Sequence, residues 1–581
     1  METIIKGYVE KFLKSFGLDP NADNTDNFEK FCSYVAFSNE LPNQSINIDD
    51  IENTSANKNK GIDSIGFIVN GKLINTKEEI EDIKESGGRL DITVVFIQSK
   101  TSEKFENAEI ANFCDTIKDF LSETPKYPMT NEVHEKHDIL LFIYGSLVDI
   151  RGFNGKAFFC TTGKWQENSV FLTTIQNKEK DINDLGVFKE GQIIVEPFDS
   201  IKLRKLYDKT NTPLNAEFIF ENKVEMKQAH GSKVQSTFYG LLPFKEFKNI
   251  LIDPDSGEIR SLFYDNVRDD LGEKNPVNSD IDATLANRKF SAFPLLNNGI
   301  TIIAEKNQGT GIKFILENFQ IVNGCQTSNV LFKHKDADGI DELNVPMKLI
   351  ITSDEDIKNE TIIATNNQTQ IKEEQLIALT EFQKGLEEFY NIMSDSVDSD
   401  LKLYYERRVN QYAGNTAIMK KSIIDLREQI KTFVSAFLEE PHDVSGYFGK
   451  IYKKRKNDLF LSSHKHEPYY FSGLISYVFK GLLTKKDIDR KYNKARYHLF
   501  MLFRKIHEPS EFKSDMLKNK KIISYSNDLI EILKDESKAK DGFNKACEII
   551  DKSGINIALQ KEFYKKSTTN ILLETFNREY K

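Results

Sequence analysis

The sequence predicts three kinds of architecture in succession: an α/β region over residues 1–205, a strand-rich α+β core over 206–370, and an all-α region over 371–581. Three observations carry this division. Strand-like and helix-like apolar periodicities alternate up to about residue 205. Short apolar runs next to Asn-Gly turns dominate the middle. Beyond residue 371, apolar groups recur at three- and four-residue spacing almost to the end. A length of 581 residues accommodates such parts at about 100–200 residues per domain.

Residues 1–40 read as helical. In DNFEKFCSYVAF (26–37) the apolar groups fall on one side of a helix that starts at an Asp/Asn pair. Residues 41–60 are polar loop. GIDSIGFIV (61–69) is a strand, Asn70-Gly71 its turn, and Lys72-Leu73-Ile74 the return strand. An acidic helix over 77–85 leads to LDITVVFIQSK (90–100), which reads as a long, mostly buried strand. Helices are expected near 106–123 and 133–149, a strand at 156–162, a helix near 178–184 and a strand at 192–195. The middle region favours strands at 216–220, 236–243, 299–304, 313–316 and 345–351.

Composition excludes several classes. A hydrophobic fraction of 39%, with 42 Phe and 21 Tyr, is incompatible with a mainly disordered chain. No apolar run approaches the about 18–20 residues of a membrane span. METIIKGYVEKFLKSFGLD is a charged amphipathic start without a signal core. Five scattered cysteines (Cys32, Cys114, Cys160, Cys325 and Cys547) fit a reducing compartment and exclude a cysteine-based zinc module. The expected location is the cytoplasm, with no membrane partner.

Charge is uneven. Residues 401–581 hold 36 Lys and Arg against 23 Asp and Glu, whereas residues 1–400 hold 43 against 66. The basic back half suits a polyanion, or docks onto the acidic front of the same or a second chain.

The first constellation is Asp63 with Gln98-Ser99-Lys100. Strand alternation puts Gln98 and Lys100 on one side and Ser99 on the other. A lysine ending an apolar strand needs partners or solvent. If the two strands pair, Asp63, Gln98 and Lys100 meet at one rim. Phosphodiester hydrolysis uses a hard cation such as Mg²⁺ or Mn²⁺, held by oxygen ligands. Asp63 would supply the anionic ligand and Gln98 a neutral carbonyl. Lys100 would orient water or stabilise transition-state charge. The structural alternative makes Asp63 a turn residue and Lys100 a snorkelling strand end.

The order of GID, the strands and VVFIQSK resembles the restriction-endonuclease-like PD-(D/E)xK superfamily in its Mrr-like Asp…Gln-x-Lys form. The resemblance implies a nuclease-like fold for residues 1–205. It also implies an acidic contribution from the preceding helix, where Glu29 is the candidate and Glu40 stands behind it. Gln98 in place of the usual Glu, and a helix interrupting the usual tight hairpin, are departures from the pattern.

The middle holds a second constellation. FPLLNNGITIIA (293–304) and FQIVNGCQTSNVLF (319–332) each set an Asn-Gly pair beside a strand. ATNNQT (364–369) is similar in flavour, and DNVR (265–268) brings a guanidinium. Arg268, Asn298, Asn323, Gln326 and Asn367 are expected either to line a pocket for a phosphate-bearing ligand or to form a buried amide network that fixes loops. DNVRDDLG, FPLLNNGITIIAE, FQIVNGCQTSNVL, ATNNQTQI and LYYERRVNQY together closely resemble the AIPR (abortive infection phage resistance) family. That resemblance implies bacterial anti-phage defence, with an endonuclease-like N-terminus as effector.

In the back half, Lys453, Lys454, Arg455 and Lys456, with Arg407 and Arg408 beside Tyr404-Tyr405, are candidate nucleic-acid contacts. Lys485-Lys486, Arg490-Lys491, Lys494 and Arg496 add basic groups on later helices. His464 and His466 lack a third ligand for metal. The leading expectation is a metal-dependent DNA endonuclease of phage defence, acting as a homodimer, with a companion defence protein as a further candidate partner. The alternative is an inactive sensor or adaptor whose central pocket binds a nucleotide or a partner protein.

Overall fold

The computed structural model of the protein describes all residues except 1, 42–45, 57–58, 60, 86–88, 147, 167–168, 211–214, 229–230, 255–256, 258, 261–275, 366–376, 379, 396–400, 408–410, 413–414, 416, 446–447, 509–516, 518 and 581. The chain forms two compact units, residues 1–210 with 380–581, and residues 211–379. Where the sequence reading sets three parts in succession, the first and third pack as one body.

The first unit begins with helices α1 (Thr3–Phe16), α2 (Asn24–Glu40) and α3 (Ile48–Thr54). Asp23 caps α2 by accepting from the Thr25 amide. Strand β1 (Ser64–Val69) turns through Asn70-Gly71, both at positive φ (49° and 71°), into β2 (Lys72–Ile74). This is the two-residue hairpin expected of Asn-Gly. After α4 (Lys77–Glu85), β3 (Leu90–Lys100) returns antiparallel to β1. Helices α5 (Asn107–Phe120) and α6 (Asn131–Gly145) lead to β4 (Ile150–Thr161), then α7 (Ser169–Asn183), β5 (Ile193–Phe198) and α8 (Ser200–Lys209). The sheet runs β2-β1-β3-β4-β5, with β4 parallel to both β3 and β5.

Alternation along β3 divides the core. Ile92, Val94 and Phe96 face the cluster that includes Phe113 and Ile117 of α5, while Val95 and Ile97 face Phe28, Phe31 and Val35 of α2. The close approach of β1 to α2 depends on Gly66, where a Cβ would lie 2.5 Å from the Phe37 ring.

Among the described residues, the regular structure of 380–581 is helical apart from one two-stranded exception to the all-α expectation: Tyr404–Glu406 pairs in parallel with Ile423–Asp425. The long helices are Leu426–Phe437, Glu467–Thr484, Arg496–Ile506, Lys521–Lys534, Glu536–Lys552 and Lys566–Tyr580. Their basic groups meet the acidic front of the same chain. Lys480 pairs with Asp49 at 2.7 Å, Arg427 with Asp50 at 3.0 Å, and Arg496 with Asp49 at 3.7 Å. Arg490 reaches Glu52 and Lys494 reaches Glu132. Burial would push the Asp49 carboxyl up, but Arg496 and Lys480 outweigh it and hold Asp49 at about 2. The uneven charge of the sequence is thus used in part to join its two ends.

The second unit is a six-stranded sheet in the order β6 (Asn215–Ile219), β10 (Lys313–Asn323), β9 (Ile300–Asn307), β11 (Asn344–Ile351), β8 (Ser236–Pro243) and β7 (Asn222–Met226). Only β9 and β11 run parallel among its pairs. One face packs against α9 (Phe244–Leu251) and the helix Cys325–Lys333 in a large core. The other face carries the small cluster Ile303, Val322 and Ile350. Among the described residues, no helix is long and apolar enough to cross a membrane.

Candidate active site

Asp63 sits one residue before β1. Its amide donates to the carbonyl of Ile97, the residue that pairs with Ser64, at 2.8 Å, so Asp63 is tied to the end of β3 just beyond the last register pair. Gln98 and Lys100 continue the Val94–Phe96 face of β3, and Ser99 continues the opposite face, as the alternation predicts. The carboxylate, however, bends over the strand end. Its Oδ2 accepts from the Ser99 amide at 2.6 Å and from the Ser99 hydroxyl at 3.0 Å. Strand alternation alone gives Ser99 no part in the site; its place between Gln98 and Lys100 is the one sequence signal for it.

Burial raises the Asp63 pKa, opposed by both Ser99 bonds and by the Lys100 ammonium. Lys100 also lies 3.6 Å from Glu109, in the first turn of α5. Gln98 is only 5% exposed, and its amide makes no hydrogen bond among the described residues. Glu29 and Cys32 stand one turn apart on α2. Burial drives the Cys32 thiol up, and Cys160 of β4, Asp63 and Glu29 add to that rise, so both carboxylates border the same buried pair of thiols. Glu40 lies at the far end of α2, about 16 Å along the axis from Glu29, where Lys156 binds it at 2.7 Å. It stands apart from the site.

Among the described residues, no three His, Cys, Asp or Glu side chains gather as a metal cluster. The donors present are one carboxylate with Oδ1 outside the Ser99 hydrogen bonds and one neutral amide oxygen. They fit Mg²⁺ or Mn²⁺ held by a single carboxylate, since such ions keep water and phosphate oxygens as their other ligands.

In the second unit, β9 and β10 bring the two Asn-Gly pairs to one end of the sheet. A Cβ on Gly324 would lie 3.1 Å from the Gly299 carbonyl oxygen. Asn298 is exposed, the Asn323 amide donates to the Thr365 carbonyl at 3.1 Å, and Gln326 is buried in the first turn of Cys325–Lys333. Arg268 and Asn367 lie outside the described residues. The bond to Thr365 is of the loop-fixing kind.

Of the basic candidates, Lys453 and Lys456 are exposed at the end of the helix Phe448–Arg455. Lys454 pairs with Asp443, and Arg455 with Glu440. Arg407 is 4% exposed and its Nε donates to Glu387 at 2.8 Å, so this guanidinium is spent on an interior ion pair. Arg408 lies outside the described residues.

The family model described as AIPR protein matches residues 263–567, just over half of the chain. No curated protein and no solved structure matches it.

Proposed function

The chain belongs to the AIPR family, and from that premise we propose that this phage-defence protein hydrolyses DNA phosphodiester bonds at the Asp63 rim, with Mg²⁺ or Mn²⁺ as cofactor. The observation that supports the reading best is the anchoring of Asp63 to the end of β3, where its carboxylate accepts from Ser99, the residue between Gln98 and Lys100. The helix before β1 and the helix after β3 agree with the restriction-endonuclease-like order.

Asp63 Oδ1 and the Gln98 carbonyl would hold the cation, which when bound polarises a phosphoryl oxygen and acidifies a bound water. Ser99 fixes the Asp63 rotamer through Oδ2. Lys100 offers its ammonium to the charge that develops on the scissile phosphate, and Glu109 keeps that ammonium at the rim. Glu29 adds negative charge near the same strand end. Exposed Lys453 and Lys456 provide backbone contacts to DNA. The setting is cytoplasmic, and a homodimer would present two sites to two strands. A companion protein encoded for the same defence would supply the trigger.

The second reading, an inactive adaptor, is favoured by the two Ser99 bonds on the one close carboxylate. Plasmid nicking with Mg²⁺ or Mn²⁺ against EDTA separates the two. Metal-dependent nicking lost in Asp63→Ala and Lys100→Ala supports the nuclease. Intact defence in cells by both variants supports the adaptor.

A further inference from the structure

Within the first unit, a polar cavity of about 70 Å³ lies away from the Asp63 rim. One wall comes from the acidic front, with Asn75 and Glu79 at the start of α4. The facing wall comes from the helical region, with Lys431 on Leu426–Phe437, and Asn493 and Arg496 around the start of Arg496–Ile506. Its size equals roughly two water molecules at ~30 Å³ each, which suits one tetrahedral oxyanion and is too small for a whole nucleotide.

The polar groups around it are incompletely satisfied. The Lys431 ammonium has no hydrogen bond or ion pair among the described residues. Arg496 Nε is buried without a partner, although its other nitrogens reach Asp49 and the Tyr497 hydroxyl. On the acceptor side, Asn75 Oδ1 and Asn493 Oδ1 are also buried and unpaired. Asn493 is held in this orientation because its Nδ2 donates to Glu52 at 3.1 Å. Glu79 does not neutralise the lysine at short range, because its Oε2 caps the Asn75 and Thr76 amides at 2.7 and 3.2 Å. Burial lowers the Lys431 pKa, and Glu79 opposes the shift. Orphaned buried polar atoms are costly. Here, cationic donors and neutral acceptors are left over together.

We propose that this cavity binds a phosphate group, either the free hydrogenphosphate ion or the end of a phosphomonoester whose remainder projects outward. Lys431 and Arg496 Nε donate to the anionic oxygens, and the Asn493 oxygen accepts the P–OH proton. Sulfate has no such proton at neutral pH and would set a lone pair against that oxygen. Because the two walls come from opposite ends of the chain, occupancy ties the α/β front to the helical region. The site is independent of the nuclease reading.

Titration calorimetry and thermal unfolding of the full chain test the proposal, with inorganic phosphate, adenosine 5′-monophosphate or sulfate at matched ionic strength. Saturable binding and a rising Tm are expected with phosphate, with the monophosphate, or with both, and not with sulfate. A response to phosphate alone assigns the free ion, and a response to the monophosphate assigns an ester. Lys431→Met is expected to weaken binding by about tenfold or more without lowering the ligand-free Tm, since it removes an unpaired enclosed charge. Asn493→Ala should weaken binding as well, and Asp63→Ala should leave it intact. An unresponsive wild type, an equal response to sulfate, or unchanged binding in both Lys431→Met and Asn493→Ala would overturn the proposal.

Discussion

Ser99 holds the Asp63 carboxylate across the ends of β3 and β1 with two hydrogen bonds to one oxygen, 2.6 Å from its amide and 3.0 Å from its hydroxyl. The contact fixes the rotamer while leaving Oδ1 outside both bonds. It also balances the titration of the group: burial raises the Asp63 pKa, whereas the Ser99 donors and Lys100 pull it down. A carboxylate in this setting is available as a ligand only when it is ionised, so its local donors decide the pH range in which it could act.

Removing the hydroxyl alone separates tuning from structure. Ser99→Ala keeps the amide bond and deletes a donor to the charged form, so the Asp63 pKa should rise further. If nicking requires ionised Asp63, activity at mildly acidic pH should fall about fivefold, the worth of one hydrogen bond near 1 kcal/mol, and recover as pH rises. A pH profile of plasmid nicking measures this. A uniform loss at all pH values would show that Ser99 acts through geometry instead.

Asp63→Asn should part function from stability. The raised pKa means that the folded state disfavours the ionised carboxylate relative to the unfolded chain, so at neutral pH the charge costs stability. The Asn oxygen can still accept from Ser99. The variant should therefore gain up to about 1 kcal/mol in urea unfolding, within the range of stabilising active-site changes, while metal-dependent nicking disappears. A less stable Asp63→Asn protein would indicate that the negative charge has a structural partner.

The elements around this site were legible from sequence where local chemistry decides them. The apolar run of β3 and the Asn70-Gly71 hairpin follow from alternation and turn preference. The apolar pattern predicts β4 over 156–162, whereas the strand starts at Ile150, because Arg151, Gly152, Asn154 and Gly155 break that pattern. The helix read near 178–184 starts at Ser169. Arg407 looked like a surface cation beside two tyrosines, and only packing of the helix Glu381–Asp395 reveals Glu387 next to it. The joining of Asp50 to Arg427, 377 positions later, is a pairing that no local pattern encodes. The Ser99 contact escaped for a smaller reason: strand alternation assigns faces well inside a sheet, but a side chain at the strand end can fold over the edge.

The ionic joint between the two ends of the chain should give the first unit an acid-labile step. Asp49 is held at about 2 by Arg496 and Lys480, below the ordinary carboxyl value near 3.9. Its contribution is fully present above the unfolded value, and it is lost as pH falls from about 4 through 2. Asp49→Asn should flatten that part of the stability–pH curve. At neutral pH it should cost about 1–3 kcal/mol, because Lys480 and Arg496 lose the nearer of two carboxylates while Glu428 stays 3.7 Å from Lys480. Urea midpoints across pH 2–7 for both proteins test the two effects together.

The Asn-Gly pairs of the second unit make a graded prediction about glycine. Gly299, Gly324 and Gly311 all have positive φ, at 79°, 98° and 65°. A Cβ at Gly311 would meet nothing within 4 Å, so Gly311→Ala should cost only the left-handed backbone penalty of about 1 kcal/mol. At Gly324 the nearest atom is a side-chain carbon, Ile300 Cγ1 at 2.8 Å, which can yield in part. At Gly299 it is the Pro346 backbone oxygen at 2.4 Å, and β9 cannot retreat from it without breaking its parallel pairing with β11. Destabilisation should therefore rise in the order Gly311→Ala, Gly324→Ala, Gly299→Ala, the last exceeding about 3 kcal/mol. Urea unfolding of the three variants reads the order directly. Equal losses at all three positions would mean that backbone conformation alone, and not the close contact of β9 with β11, requires glycine in these turns.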